Sequence, residues 1–158
     1  MDTFKPNVID FVRELLKTKY EITALANITS AIKKYYPQIN WVGFYYCNHQ
    51  ENHLLLGPFQ GEVACEIINK SLGVCGTSWQ NDQIVVAPDV SQISNYIACD
   101  QETKSEMVIP IHKNHQIYCL LDLDSNSLNY FQAEIALSLK IIAHLIEEQF
   151  KLNTFSPF

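Results

Sequence analysis

The sequence predicts an α+β fold, in which a largely antiparallel sheet of about six strands has the N- and C-terminal helices packed on one face. Helix-like periodicity opens and closes the chain, and strand-like segments lie between. Of its 158 residues, 47% are hydrophobic, enough for one core. We therefore expect a single domain over residues 1–158, with a loose tail from about residue 153.

Two amphipathic helices open the chain. Apolar side chains recur at helical spacing over residues 4–16 and again over residues 22–35. Thr18 and Glu21 stand three apart, as in a capping box before the second helix, and Pro37 ends that helix.

Strand patterns fill the middle of the chain. Aromatic and β-branched residues concentrate in six segments, 41–47, 53–59, 63–68, 84–87, 107–111 and 116–123. A polar turn joins the first two, which indicates a hairpin. A short helix is predicted over residues 73–80, and a long final helix, capped by Asn129, runs through Phe150.

Charge and cysteine content exclude several classes of function. The net charge is −6 and the 11 Lys and Arg residues are scattered, so we expect no nucleic-acid partner. No apolar run approaches membrane-spanning length, and the N-terminus does not resemble a signal peptide, which predicts a soluble cytoplasmic protein. Five cysteines without zinc-ligand spacing favour free thiols with a transient redox role. We expect no metal or other cofactor, and a homodimer is left open.

Three acidic residues are candidates for acid–base chemistry. Strand alternation sends Asp122 and Asp124 to one face and Cys119 to the other. A three-residue turn over 113–115 would place Glu106 opposite Asp122, whereas a two-residue turn would put it on the other face. Crowded carboxylates raise one another's pKa, so one could donate a proton and another could bind an ammonium group. A solvated polar face is the simpler interpretation, and metal binding ranks last.

Trp41, Gly43 and Tyr45 share one face of the first strand. Aromatic stripes of this kind are more often core than pocket. Gly43, however, leaves a gap between two rings in which a methyl-sized group would fit.

Three cysteines lie in loop-like or strand-end positions. Cys75 precedes the short helix, whose dipole would favour a thiolate, and Cys99 lies in a loop that could approach another sulfur. Cys65 could resolve either of them. A small buried hydrophobe is the commoner role of a free cysteine, and it suits Cys119, while Cys47 is undecided. The five histidines show no metal or triad spacing, so we expect solvated positions for them.

The segments GPFQGEVAC, GVCGT and IACD, together with NWVGFY and LLDLDS, resemble the free methionine-(R)-sulfoxide reductases, a family of single GAF domains. The match runs from about Asn40 to Ser125. It implies thiol-dependent reduction of free methionine (R)-sulfoxide through a cysteine sulfenic acid and an intramolecular disulfide, with thioredoxin as the reductant.

The resemblance also implies roles for individual residues. Cys99 of IACD becomes the expected nucleophile, with Cys75 as the alternative and Cys65 as a further member of the thiol set. The substrate pocket would be formed by Glu106, Asp122 and Asp124, with an aromatic methyl cage of Trp41 and Tyr45. Two alternatives stay open, a non-catalytic GAF module that binds a small ligand and a thiol-based redox sensor.

Overall fold

Residues 7–156, which the computed structural model describes, form four α-helices and six β-strands. The helices are α1 (Val8–Leu15), α2 (Glu21–Tyr35), α3 (Gly73–Asn81) and α4 (Ala133–Leu152). The strands are β1 (Ile39–Asn48), β2 (His53–Gln60), β3 (Ile67–Asn69), β4 (Val85–Ala87), β5 (Ser105–Lys113) and β6 (Gln116–Ser125). Every strand pairs antiparallel with its neighbour, in the order β3-β2-β1-β6-β5-β4.

The sheet separates two apolar layers. On one face α1, α2 and α4 pack against side chains such as Val42 and Phe44 of β1. On the other face α3 and the loop after β4 pack against Trp41 and Tyr45 of the same strand. The predicted α+β architecture is therefore confirmed, and β1 alternates as its sequence indicates. None of the helices in the described part of the chain has the length and apolar character needed to cross a bilayer.

The ends of the helices depart from the sequence prediction at two points. Helix α2 ends at Tyr35, before Pro37 as predicted. The predicted capping box at its start is wrong, because Tyr20 is the N-cap and Thr18 Oγ1 accepts from the Tyr20 N–H at 3.3 Å. The Thr18 hydroxyl is used within its own turn and so is not available to cap the helix.

The cap of the final helix is also not the predicted one. Gln132 caps α4, and Asn129 lies in a turn with a φ of 52°. The Asn129 N–H donates to the Pro88 carbonyl at 2.8 Å, which ties this turn to the loop after β4. Residues 4–6 of the predicted first helix lie outside the described residues.

The strand predicted over residues 63–68 is mostly a loop, and only Ile67–Asn69 pairs as β3. Aromatic side chains of β1 bind two carbonyl groups at the start of this loop. Trp41 Nε1 donates to the Glu62 carbonyl at 3.0 Å, and the Tyr45 hydroxyl donates to the Cys65 carbonyl at 2.9 Å.

The β5–β6 hairpin has a two-residue turn. Lys113 pairs with Gln116, and between them Asn114 and His115 have φ of 54° and 65°. Positive φ at both central residues is the backbone of the tight turns that suit the twist of a hairpin. The three-residue turn considered from the sequence is therefore wrong.

A two-residue turn alone would put Glu106 on the face opposite the aspartates, but a β-bulge in this hairpin brings it back to their face. The register shifts between Ile111 and His112, so that Glu106 pairs with Asp124 and lies diagonal to Asp122. One extra residue on a strand exchanges its two faces. Glu106 consequently shares a face with both aspartates, although its direct partner is Asp124 and not Asp122.

His112, which lies on β5 opposite the bulge, is held between two carboxylates from different helices. Its backbone N–H donates to Glu147 Oε2 of α4 at 2.9 Å, and its Nδ1 lies 2.9 Å from the same oxygen. Its Nε2 lies 2.9 Å from Asp82 Oδ1, at the C-cap of α3. The expected solvated position is thus wrong for this histidine. Partial burial lowers its pKa, but the two carboxylates outweigh burial and raise it above the ordinary value.

Residues 153–156, predicted to begin a loose tail, are held against the fold. The Ser156 N–H donates to the Lys19 carbonyl at 2.6 Å, and the Phe155 ring lies 5.8 Å from that of Phe150. The last two residues of the predicted tail lie outside the described part of the chain.

We predict that His112→Gln destabilises the protein at acidic pH more than at alkaline pH. A histidine whose folded pKa is raised contributes its full stabilisation below the unfolded pKa, and that contribution is lost as pH rises through the folded pKa. Since the side chain is about a third exposed, solvent limits the effect to about 1 kcal/mol, or roughly 2–4 °C in Tm.

Thermal unfolding of both proteins from pH 5.5 to 8.5 measures this difference. His144→Gln, which removes an exposed histidine 4.0 Å from Glu148, is the matched control and should leave the profile nearly unchanged. A Tm difference between wild type and His112→Gln that does not vary with pH would contradict the charged arrangement.

Candidate active site

A pocket that is partly open to solvent lies on the face of the sheet that carries α3, and its empty space, with open solvent included, is about 470 Å³. Strand alternation brings side chains of β1, β5 and β6 to its floor and walls. The start of α3 and the loops carrying Cys65 and Cys99 close it from above. All eight residues singled out from the sequence line it or bridge across its mouth: Trp41, Tyr45, Cys65, Cys75, Cys99, Glu106, Asp122 and Asp124.

Three carboxyl groups share the floor of this pocket. Glu106 and Asp122 are each only 6% exposed, and Asp124 lies beside them on β6. Burial and mutual repulsion hold the pKa of Glu106 and of Asp124 well above their ordinary values, and burial raises the pKa of Asp122 to about 6. Asp122, with a pKa of about 6, is therefore mostly ionised at neutral pH, whereas Glu106 and Asp124 hold their protons more strongly than ordinary carboxyl groups.

Buried polar atoms without partners cluster around the pocket. Within residues 7–156, the buried side-chain oxygens that have no hydrogen-bond partner are Asn40 Oδ1, Thr103 Oγ1, Asp122 Oδ1 and Asp124 Oδ1. Both aspartates line the pocket, and Asn40 bonds to Asp100, which also lines it. Since an unpaired buried polar group is costly, these atoms mark a site built to receive a polar ligand.

Cys75 lines the pocket from the first turn of α3, beside the carboxyl groups of the floor. The thiol is buried, at 3% exposure, and its Sγ donates to Glu106 Oε1 at 3.9 Å. Burial first, and then the nearby carboxyl groups of Asp122 and Glu106, raise its pKa well above the ordinary value. The thiolate expected from the helix dipole is therefore wrong, because desolvation and anionic neighbours outweigh the dipole.

Cys65 and Cys99 form a disulfide bridge at the mouth of the pocket, with their Cα atoms 5.6 Å apart. Both residues are half-buried and belong to loops. Asn40 Nδ2 donates to Asp100 Oδ2 at 2.9 Å, which anchors the second loop next to Cys99. Cys119 is buried on the opposite face of the sheet, which α1, α2 and α4 cover, as its strand position predicts.

The aromatic walls are more closely packed than the sequence indicates. The Trp41 ring stacks at 5.9 Å on Tyr45 and at 5.5 Å on Phe59. A Cβ at Gly43 would lie 2.5 Å from Trp41 Cη2 and 2.6 Å from Phe59 Cβ. The space over Gly43 is thus filled by the protein itself, and the expected gap for a methyl-sized guest is absent there. The rings of Trp41 and Tyr45 still face the pocket.

Sequence reasoning missed several pocket residues in the loop around Cys99 and at the start of α3. Tyr96, Ile97 and Asp100 line the pocket from that loop, as do residues 72–74 from the helix. Burial, followed by the carboxyl groups of Glu106 and the two aspartates, raises the pKa of Tyr96. The motif around Cys99 marked the loop as functional, but no local pattern indicated that it folds back over α3.

The arrangement suits a small ligand that carries positive charge. Donor atoms of Cys75, Glu106 and Asp122 all lie within 4.8 Å of one another, so one cationic group can contact all three residues. The residues lining the pocket include no Lys, Arg or His. An ammonium group meets both conditions, because it can contact all three residues and its charge meets no basic side chain in the pocket. It can bind without a change in the protonation state of Cys75, Glu106 or Asp122.

Comparison with known proteins agrees with this site. No family model matches the chain. It is 46% identical over 111 residues to GAF domain-containing protein A of Dictyostelium discoideum, covering 70% of this chain and 69% of that protein. It is 34% identical over 137 residues to free methionine-R-sulfoxide reductase of Escherichia coli, covering 87% and 82%. The X-ray structure of free methionine-R-sulfoxide reductase from Neisseria meningitidis in complex with its substrate has a TM-score of 0.86, at 32% identity, over 91% of this chain and 86% of that one.

The fold and the site together define a GAF domain in which a cysteine pair bridges the mouth of an acidic pocket. Within that class, the chain belongs to the free methionine-R-sulfoxide reductase family of oxidoreductases. The resemblance carried by its sequence motifs is confirmed.

We predict that the oxidised protein contains one disulfide, between Cys65 and Cys99, and three free thiols. Alkylation of the unfolded protein without reductant, followed by peptide mapping, should label Cys47, Cys75 and Cys119. Cys75→Ser should keep the same bridge, and Cys99→Ser should lose it. A bridge between Cys65 and Cys75 in the wild-type protein would contradict this pairing.

We predict that Asp122→Asn reduces the pH dependence of stability between pH 4 and pH 8. A carboxyl group whose folded pKa is raised stabilises the fold fully below its unfolded pKa, and that contribution is lost as pH rises through the folded pKa. For a shift from 3.8 to about 6, the loss is on the order of 3 kcal/mol.

Urea unfolding at several pH values measures this slope. Glu134→Gln, which replaces an exposed acid at the start of α4, is the control and should keep the wild-type slope. Parallel profiles for Asp122→Asn and wild type would show that Asp122 is not a proton-binding group of the pocket.

Proposed function

We propose that this chain reduces free L-methionine (R)-sulfoxide to L-methionine, with Cys99 as the nucleophile and Cys65 as the resolving cysteine. The single observation that carries the proposal is the Cys65–Cys99 bridge at the mouth of the acidic pocket. A bridge there is the expected end state of thiol-dependent sulfoxide reduction, since resolution of a sulfenic acid by a second cysteine yields a disulfide.

The proposed reaction has two chemical steps. The Cys99 thiolate attacks the sulfoxide sulfur while the sulfoxide oxygen takes a proton. The sulfur–oxygen bond then breaks as the oxygen passes to Cys99, which releases methionine and leaves a sulfenic acid. The Cys65 thiol next attacks Cys99 Sγ, its proton leaves with the oxygen as water, and the bridge forms. One sulfoxide and two thiols thus become one methionine, one water and one disulfide.

The carboxyl groups divide the polar roles. Glu106 and Asp124, whose pKa values burial raises well above the ordinary range, keep protons and can protonate the departing oxygen. Asp122, with a pKa of about 6, is ionised at neutral pH and accepts the ammonium group through its unpartnered Oδ1. A peptide-linked sulfoxide has no such ammonium, so the buried charge of Asp122 would stay unpaired and disfavour that substrate.

The aromatic and thiol walls complete the proposed substrate site. The Trp41 and Tyr45 rings offer apolar surface to the S-methyl group from the same side of the sheet as the acids. Cys75 stays protonated in this scheme and acts as a hydrogen-bond donor to Glu106. Its raised pKa is the reason that Cys99 takes precedence as the nucleophile.

Turnover requires that the bridge be reduced again. Cys65 and Cys99 are half-buried in surface loops, and Val63 beside them is 88% exposed, so a dithiol protein of the thioredoxin type can approach the bridge. We assign the cycle to the cytoplasm, where such reductants keep thiols reduced. A thiol-based redox sensor would also use the bridge, but it would have no use for buried carboxyl groups with unpaired oxygens.

Incubation with racemic free methionine sulfoxide, thioredoxin, its reductase and NADPH tests the proposal. We expect reductant consumption to stop when half of the sulfoxide is used and the S epimer remains. Cys99→Ser should form no methionine. Cys65→Ser should form about one methionine per protein and then stop, because the sulfenic acid is not resolved to the disulfide that thioredoxin reduces.

Cys119→Ser is the matched control, since that thiol is buried on the face covered by α1, α2 and α4, away from the pocket. The turnover of this variant should equal that of wild type. Full activity of Cys99→Ser would move the nucleophile to Cys75. Equal rates on free and peptide-bound sulfoxide would remove the acidic residues from substrate recognition.

A further inference from the structure

A β-bulge at the start of β1 removes Asn40 from the regular alternation of the strand. Ile39 pairs with Ser125. Trp41, two residues further on, pairs with Asp124, so β1 has one residue more than β6 at this point. Ile39 and Trp41 consequently pack in different apolar layers, although a regular strand would put both on one face. Bulges next to active sites commonly re-aim a side chain, and here that side chain is Asn40.

The Asn40 side chain reaches the loop that carries Cys99. Its Nδ2 donates to Asp100 Oδ2 at 2.9 Å, between residues 60 positions apart in the chain. The other carboxylate oxygen of Asp100 accepts from the Glu102 N–H at 2.9 Å, and the Asp100 carbonyl accepts from the Thr103 N–H at 3.3 Å. One residue therefore shapes the turn after Cys99 and also binds that turn to the sheet.

The bond from Asp100 to the sheet is the polar link between this loop and the rest of the fold. Among the described residues, the remaining hydrogen bonds of residues 96–102 have their partners within residues 93–103. In the oxidised protein the Cys65–Cys99 bridge is a second link, but it opens when the protein is reduced. Once the bridge is open, the loop depends on Asp100 for its polar contact with the sheet.

The asparagine that provides this contact is held by rigid elements. Asn40 is half-buried, and Lys33 Nζ of α2 donates to its carbonyl at 3.2 Å. The carboxylate of Asp100 only accepts, so it binds the nitrogen of the amide and leaves Asn40 Oδ1 buried without a partner. An unpaired buried oxygen is unfavourable, and the bond from Nδ2 to a charged acceptor offsets it. The amide is thus oriented by its bond to the Cys99 loop.

We propose that Asn40 is a positioning residue, which acts through Asp100 to hold the reduced Cys99 thiol beside the pocket and within reach of Cys65. Without this bond the loop can move away from the sheet while the bridge is open, and both reactions of Cys99 become slower. The role of Cys99 as the nucleophile rests on the proposed function. Its placement near Cys65 does not, since the two sulfurs are bonded in the oxidised protein.

Bridge formation in a glutathione redox buffer measures this positioning without any substrate. A loop held near its partner thiol gives the two thiols a high effective concentration, which favours the disulfide. Asn40→Ala should lower the equilibrium constant for the Cys65–Cys99 bridge about tenfold, because a hydrogen bond to a charged group typically contributes that much. This change corresponds to a rise of about 30 mV in the reduction potential.

An asparagine at the other end of β1 provides the matched control. Asn48 Nδ2 also donates to a carboxylate, that of Glu51, at 3.1 Å. Asn48→Ala should leave the equilibrium constant for the bridge at the wild-type value. The same constant in Asn40→Ala as in wild type would overturn the proposal.

Exchange of the two bonded side chains separates the bond from general damage to the fold. Asn40→Asp alone sets two carboxylates against each other and should lower the constant at least as much as Asn40→Ala. Combination with Asp100→Asn restores one donor and one acceptor in reversed positions, and the introduced amide keeps an oxygen for the Glu102 N–H. The double variant should therefore recover most of the loss. A double variant as impaired as Asn40→Asp would assign Asn40 a merely structural role and overturn the proposal.

Single-turnover reduction of free methionine sulfoxide provides a second readout. Methionine release from reduced Asn40→Ala should be about tenfold slower than from wild type, whereas substrate affinity should stay within about twofold because the pocket residues are unchanged. A weaker affinity with an unchanged rate would assign Asn40 to the ligand site and overturn the positioning role.

The two readouts separate this proposal from the proposed function. If the wild-type protein reduces no sulfoxide, but the bridge constant falls in Asn40→Ala and recovers in the exchanged pair, the reductase function is refuted and the positioning role stands. If sulfoxide is reduced and the bridge constant of Asn40→Ala equals that of wild type, the reductase function stands and the positioning role is refuted.

Discussion

The register of the β5–β6 hairpin determines where every carboxyl group of the pocket lies. Without the bulge in β6 opposite His112, Glu106 would point into the apolar layer beneath α4 and Met107 would point into the pocket. A carboxyl group in that layer would lack any polar partner and would destabilise the fold by several kcal/mol. One extra residue therefore keeps the core apolar and the pocket acidic at the same time.

Crowding of acids in this pocket costs stability that the rest of the sheet must supply. Glu106, Asp122 and Asp124 are buried together with the Cys75 thiol, and burial raises the pKa of all four groups. Functional sites commonly retain such unfavourable groups, at the expense of the stability that a repacked site would have. On the opposite face, α1, α2 and α4 form the apolar layer that stabilises the sheet. Among the described residues, this layer contains no comparable cluster of buried acids.

Strand alternation explains which parts of the site could be predicted. A period of two places Trp41 with Tyr45, and Asp122 with Asp124, whatever else the chain does. Glu106 could not be placed in this way, because the tight turn and the bulge each shift the register by one residue in the same sense. Each shift exchanges the face of Glu106, so the two cancel, and neither has a clear local signature. The environment of Cys75 was misjudged because a helix dipole can be read from sequence, whereas the acids that oppose it arrive from distant strands.

The loops over the pocket could not be predicted from local sequence patterns for the same reason. Pairing of Cys65 with Cys99 follows from loop closure across 34 residues, and nothing in the spacing of the cysteines specifies it. The resemblance to a known family supplied the set of three thiols, and the structure selected two of them.

The two aromatic walls of the pocket also hold the loop that carries Cys65. The Tyr45 hydroxyl binds the Cys65 carbonyl, and Trp41 Nε1 binds that of Glu62. A substitution at either ring therefore alters the shape of the pocket and the position of a sulfur in one event. Without the Tyr45 hydroxyl, the Cys65 carbonyl would lose this donor. The ligand contacts of the ring and the placement of the thiol therefore depend on the same side chain.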